Sequence, residues 1–198
     1  HQSALPLPPK APLPGQTHFD VLVAGHLREE KDSLRAAYAV RDLPADSRIR
    51  VIQMGSAHTP DWAEEAEAEM RRNKRYRWLG ERPRWQVRQW MSGARLMVIS
   101  SRMEGGANVV SEACVAGLPI IASRIPGNRG LLADNYEGYY PVEDTQALRA
   151  CLLHAEREPA HLAQLRQQVT ARAPLFRPEA EREGLARVMQ WLGVLPHG

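Results

Sequence analysis

Several residue types and patterns that would point to particular functions are scarce or missing in this chain. Of its 198 residues only two are cysteines and two phenylalanines. Cys114 and Cys151 both fall in helical patterns and match no metal-ligand spacing, so no metal or cofactor is expected, and a reducing, cytoplasmic setting is. No stretch approaches the ~20 apolar residues that a membrane span needs, and no signal-peptide pattern is present. A membrane partner is therefore not expected. Charge of one sign is not in excess either: 26 basic and 23 acidic residues leave +3, spread along the chain, which gives nucleic-acid binding little support. The glycine fingerprint G-x-G-x-x-G is missing after the first apolar strand pattern, which argues against a dinucleotide-dependent oxidoreductase. An initiator Met is missing too, and a chain that starts at His1 reads as a piece of a longer protein.

What is present suits one α/β domain. The length fits one domain, at most one and a half, and the 43% apolar and 25% charged content are ordinary for a globular chain. Leu5 to Pro14 carries five prolines, enough to prevent helix and favour an extended path. Residues 1–18 are accordingly a linker or a tail, and not core.

The rest is organised around Arg95 to Ile125, which reads strand, loop, helix, turn, strand. Leu96 to Ser100 is a short buried strand, and Gly105 and Gly106 let the backbone bend before a helical period from Asn108 to Ala116. Gly117 stands where a helix end wants positive φ, and Pro119 prevents continuation. Leu118 to Ala122 begins the next strand. Glu104 and Glu112, with seven residues between them, bracket the loop and helix start. Both can face one cleft at the carboxyl edge of a parallel sheet, where open α/β folds bind ligands. Between them lie the free amides and positive dipole end of the helix, an anion site. Carboxylate, amide nest and carboxylate suit a ligand built of hydroxyls, phosphates and further hydroxyls, an order that a nucleotide sugar has. The bland alternative is a solvated Glu104 and a helix-face Glu112.

Glu104-Gly-Gly-Ala-Asn-Val-Val-Ser-Glu112, followed by Ala-Cys-Val-Ala-Gly-Leu-Pro-Ile-Ile-Ala-Ser, resembles the E-x7-E segment of retaining glycosyltransferases of family 4. The resemblance implies a Rossmann-like parallel sheet with helices on both faces, the donor-binding C-terminal half of a GT-B fold. It makes residues 1–18 the interdomain linker, 19–173 the nucleotide-sugar-binding domain, and 174–198 a helical segment crossing to an N-terminal GT-B domain. It also implies donor contacts at Gly105, Gly106, Ala107, Asn108 and Val109, with Glu104 orienting the sugar and Glu112 accepting from the ribose diol.

Elsewhere the residues set further expectations. Phe19 to Ala24 is the first buried strand, and Asp32 is placed to cap the helix that follows the loop His26–Lys31. Relatives carry Gly-Arg-Leu…Lys here, whose Arg and Lys grip the donor diphosphate. This chain keeps Lys31, has His26 in place of the Arg, and offers Arg28 two residues on, whose planar fork suits a phosphate. His26 then donates to a sugar or acceptor oxygen, or merely closes a turn. Arg48 to Met54 is strand two, and Thr59-Pro60 opens a helix with Trp62, Ala66 and Met70 inward. The charge run from Glu64 to Lys74 on that helix reads as a solvated face. Tyr76 to Gly80 is strand three, and the family reads the nucleobase in the turn after it, which implicates Glu81 and Arg82. Trp85 to Ala94 is a helix with Val87, Trp90, Met91 and Ala94 inward. Ile125 to Gly130 is a glycine-rich turn near the cleft, with Asn128 and Arg129 as polar contacts, or an ordinary crossover loop. Tyr136 to Val142 is a closing strand, Asp144 caps a helix with Leu148 and Leu152 inward, and helices follow over Pro159–Thr170 and Pro178–Leu192.

Gly25-His-Leu-Arg-Glu-Glu-Lys-Asp32, Arg75-Tyr-Arg-Trp-Leu-Gly80, the Ser101–Glu112 segment and Ser123-Arg-Ile-Pro-Gly-Asn128 together resemble the selenosugar synthases of selenoneine biosynthesis. This implies transfer from a UDP-sugar, UDP-GlcNAc or UDP-glucose, to selenophosphate or another small anionic acceptor. Arg102 and Arg124 suit such an acceptor, or are surface residues. Lys31, Arg28 and the amides near Asn108 would stabilise the departing diphosphate, and no side chain is required as a nucleophile. Alternatives are an ordinary family 4 enzyme with a hydroxyl acceptor, a GT-B epimerase or phosphorylase, and a non-catalytic nucleotide-sugar binding module. By itself the piece is expected to bind donor without turnover.

Overall fold

Four apolar runs, each too short for a buried helix and flanked by glycine, proline or charged turns, become the middle of one parallel sheet. A computed structural model describes residues 4–5, 17–103, 108–177 and 182. The strands are β1 (Phe19–Ala24), β2 (Ile49–Met54), β3 (Tyr76–Trp78), β4 (Leu96–Ile99), β5 (Ile120–Ser123) and β6 (Tyr139–Tyr140). They pair in the order β3-β2-β1-β4-β5-β6, every pair parallel. This is the Rossmann-like α/β fold that the sequence implies. The helices are α1 (Arg35–Ala39), α2 (Pro60–Arg72), α3 (Arg84–Gly93), α4 (Asn108–Ala116), α5 (Pro126–Leu132), α6 (Thr145–Arg157) and α7 (Pro159–Arg172).

Side chains alternate across the sheet with the period of two that a strand imposes, so each face buries its own core. Val21, Val23, Val51, Leu96 and Val98 pack on one face with Ala36, Ala66, Leu148 and Leu152 from the helices. Leu22, Ile52, Met97, Ile99 and Ile120 pack on the other with Met91, Val110, Cys114, Leu165 and Val169. Burial pushes the Cys114 thiol up to about 12, which leaves it a small apolar filler. Asp144 caps α6 as expected, its Oδ1 accepting from Ala147 N at 2.8 Å. Gly117 takes φ of 62° at the end of α4, as its position requires. Among the described residues no helix is long and apolar enough to cross a membrane.

Some expectations are corrected. Asp32 does not cap α1: it stands at φ 47°, three residues before the helix, and pairs with Arg35 Nε at 2.7 Å. A short 3-10 turn at Glu29–Lys31 takes up the chain instead. The charge run of α2 is not wholly solvated. Glu69 is fully buried and accepts from Arg41, Arg72 and Asn73, while Asn73 also bonds Ala37 O at 2.9 Å, tying α2 to α1. The glycine-rich turn after β5 is helix α5, because Pro126 at its start presets a helical φ and its buried Leu131 and Leu132 pay for the glycines. Strand three stops at Trp78 and strand six is only Tyr139–Tyr140. Ala4 belongs to the core, contrary to the reading of residues 1–18, with its N–H on Phe176 O at 2.7 Å. Of the helix expected over 178–192, only Arg182 is among the described residues, and the rest lies outside them.

Candidate functional site

Strand order reverses between β1 and β4: the chain runs outward from β1 through β2 to β3, then returns to begin β4 on the other side. At such a switch point the loops leaving adjacent strands diverge and open a crevice at the carboxyl ends. A cleft open to solvent lies there, lined by His26, Lys31, Ser33, Gln53, Ser100 and Val109 among others.

Backbone contact holds the floor. Gly25 N donates to Met54 O and Gly55 N to Gly80 O, each at 2.9 Å, which ties together the turns leaving β1, β2 and β3. A Cβ on Gly55 would lie 2.0 Å from Gly25 O, and its φ of 145° excludes most side chains as well. From that floor rises His26, whose Nδ1 lies 2.7 Å from Ser56 Oγ. Serines then staple the rim. Ser33 Oγ accepts from Arg28 N at 3.1 Å and donates back to His26 O at 3.1 Å. Ser100 Oγ, at the end of β4, sits 2.9 Å from Asp32 O and 3.0 Å from Lys31 O. Ser123 Oγ donates to Ser101 O at 2.6 Å, and buried Asn128 donates to Ser123 O at 2.9 Å. The loop that carries Lys31 is thus bonded to β4, and β4 through Ser101 to β5 and α5.

The expected residues divide into three groups. His26, Lys31 and Val109 line the cleft, and Glu112 stands on α4 one helical turn beyond Val109, on the same side. Arg28, Glu81 and Arg82 are not among its lining residues. Arg28 Nε lies 2.9 Å from Glu30 Oε1, and Glu81 and Arg82 are exposed in the turn past Gly80. Asn108, the first residue of α4, is exposed at the helix start. Glu104, Gly105, Gly106 and Ala107 lie outside the described residues. Of the two suggested acceptor cations, Arg102 is held by Glu29 at 3.3 Å and Glu143 at 2.8 Å, while exposed Arg124 leans over the Tyr139 ring at 5.9 Å. Asn128 is no free polar contact, being buried on Ser123, and Arg129 pairs with Asp134 at 2.6 Å.

Sequence reasoning missed Arg84. The first residue of α3, it donates from Nη2 and Nε to Glu112 Oε1 at 2.6 and 3.2 Å. A signal was there: a cation in the first turn of a helix opposes the dipole and needs a compensating carboxylate. Gln53 and the serine staples were missed as well, since strand residues and small hydroxyls carry no spacing. Among the described residues no group of three or more His, Cys, Asp or Glu is placed to hold a metal ion.

The sequence profile of the glycosyl transferases group 1 family matches residues 9–173. The chain belongs to that family. As a group 1 glycosyltransferase domain it superimposes on solved relatives of the GT-B type. HepE of Anabaena, solved with UDP, shares 20% identity at a TM-score of 0.78, over 87% of this chain and 49% of HepE. The pneumococcal O-GlcNAc transferase GtfA, solved with UDP and GlcNAc, shares 23% at 0.75, over 95% of this chain and 38% of GtfA. Sucrose-phosphate synthase from Thermosynechococcus elongatus shares 22% at 0.76, over 90% and 46%. The chain thus spans half or less of the length of each.

Proposed function

We propose that this domain binds a UDP-sugar in the β1–β4 crevice and forms the donor side of a glycosyltransferase. The observation that carries the reading is the convergence, at the switch point of a group 1 glycosyltransferase domain, of Lys31, His26 and the start of α4, with Glu112 one turn on. Neighbours solved with UDP or UDP-glucose support the choice of ligand. Cleaving the bond between sugar and diphosphate builds negative charge on the departing phosphate. Lys31 and the amides opening α4 meet that charge from fixed positions, the preorganisation that makes such stabilisation effective. Arg28 joins them if it exchanges Glu30 for phosphate. Glu104 orients the sugar hydroxyls, Glu112 takes the ribose diol, and Glu81 and Arg82 flank the nucleobase.

For the whole enzyme we assign transfer from UDP-GlcNAc or UDP-glucose to selenophosphate, with UDP leaving as the carbon–selenium bond forms and water then cleaving the selenium–phosphorus bond to release phosphate and the selenosugar. This rests on the four segments that resemble selenosugar synthases. A hydroxyl acceptor is the second reading, favoured by the ion pairs that already occupy Arg102. The acceptor wall falls to an N-terminal domain in either case. Calorimetric titration of the folded domain with UDP tests the first step: saturable binding is expected, and none at millimolar UDP refutes it. Mass spectrometry of products from the full-length enzyme, given UDP-sugar with selenophosphate or with sugar acceptors, decides the second. A selenosugar is expected, and only oxygen-linked products refute it.

A further inference from the structure

Arg84 and Glu112 form an asymmetric pair. The Arg84 side chain is 67% exposed and that of Glu112 only 12%, so the contact is not a pair of two solvated charges at a rim. An arginine facing a carboxylate squarely gives one N–H to each oxygen. Here Nε and Nη2 both donate to Oε1, at 3.2 and 2.6 Å. Among the described residues Oε2 has no hydrogen-bond partner. An ionised carboxylate has about four lone-pair sites, and this arrangement fills those of one oxygen while leaving the other open. Arg84 is itself anchored: α3 starts just past Gly80, whose carbonyl accepts from Gly55 N at 2.9 Å on the cleft floor.

The geometry points to Arg84 as a positioning residue that fixes the Glu112 carboxylate so that Oε2 faces the cis-diol of a nucleotide ribose. The inference rests on the reading of the cleft as a nucleoside-diphosphate site and deepens it. Without Arg84 the carboxylate turns freely about its last side-chain bond, and its orientation must be fixed when the ligand binds. With Arg84 that ordering precedes the ligand, which is how preorganisation raises affinity. Because Arg84 follows directly on the turn assigned to the nucleobase, ribose and base are read by one connected piece of chain.

The test separates the diol from the rest of the ligand. UDP and its dideoxy analogue, which lacks the ribose diol, are titrated into the wild-type chain, Arg84→Met and Arg84→Lys, with circular dichroism to verify folding. The wild type is expected to prefer UDP about tenfold or more, the scale of one charge-assisted hydrogen bond. In Arg84→Met the preference should shrink to about threefold or less while affinity for the analogue stays within about twofold. Arg84→Lys, which keeps the charge without the fork, should fall between. Equal weakening toward both ligands would mean a merely structural role and overturns the inference. So does an unchanged preference, or tighter UDP binding in Arg84→Met, which would make Arg84 an occluding group. A wild type that binds UDP without regard to the diol overturns it and leaves the donor site standing. A wild type that binds neither ligand refutes the donor reading itself.

Discussion

Replacing Glu69 with Gln swaps a fully buried carboxylate for a neutral amide of the same shape. The native carboxylate accepts from Arg41 at 2.9 and 2.6 Å, from Arg72 at 2.6 Å and from Asn73 at 3.0 Å. Burial alone would push it up, but the hydrogen bonds from Arg41, Asn73 and Arg72 outweigh burial and hold it at about 2 rather than 4.5. A drop of that size corresponds to roughly 3 kcal/mol in favour of the ionised form. Arg41 and Arg72 are 37% and 53% exposed, so water can hydrate them once the carboxylate is gone. We therefore expect Glu69→Gln to lose about 2–3 kcal/mol, at the lower edge of what breaking a buried pair costs. For a domain of this size that lowers Tm by roughly 4–12 °C. The sign with pH follows from the depressed value: the wild-type advantage is complete above about pH 4.5, declines as pH falls, and is gone below about pH 2. Thermal melts of both proteins across that range give the answer. A Tm difference near zero at neutral pH, or one that does not shrink in acid, would refute the assignment.

At the cleft, Glu112→Gln should keep the fold and weaken UDP by roughly 1–3 kcal/mol, because a neutral acceptor bonds the ribose less strongly; unchanged calorimetric affinity contradicts this. Lys31→Met should weaken UDP far more than uridine, and flatten the salt dependence of UDP binding, if the ammonium meets the diphosphate. Equal effects on both ligands would place Lys31 elsewhere. Gly55→Ala meets both a positive φ and the Gly25 carbonyl, so it should lower Tm sharply or prevent soluble expression. A melt matching wild type would show that the floor can shift.

The sheet was legible because its middle strands are buried on both faces and so read as continuous apolar runs. Asn108–Ala116 was legible as α4 because glycine and proline mark its end. Lys31, His26 and Val109, three of the expected site residues, line the crevice. What failed had opposing local signals. Two glycines made α5 look like a turn, although Pro126 and the buried leucines decide otherwise. Glu69 sits in a run of exposed acids, and nothing near it in sequence tells of Arg41 on the other side of the α1–α2 contact. Arg84 and Glu112 are far apart in the chain, and only the packing of α3 beside α4 brings them together.

The crevice lies between β1 and β4, which pair only at Val21 with Leu96 and Leu22 with Met97. During synthesis β1, β2 and β3 leave the ribosome first, and can pair while β4 is still unmade. In that interval the β1 edge that will receive β4 is an open, apolar strand edge, the kind that recruits a second chain. The site we propose for a nucleotide does not yet exist, so no such ligand can protect the nascent sheet. Once β4 docks, the edge is covered and the crevice opens in the same event. A ligand there binds the finished fold alone, and at a hundred times its Kd adds about 2.7 kcal/mol to the stability of the whole sheet.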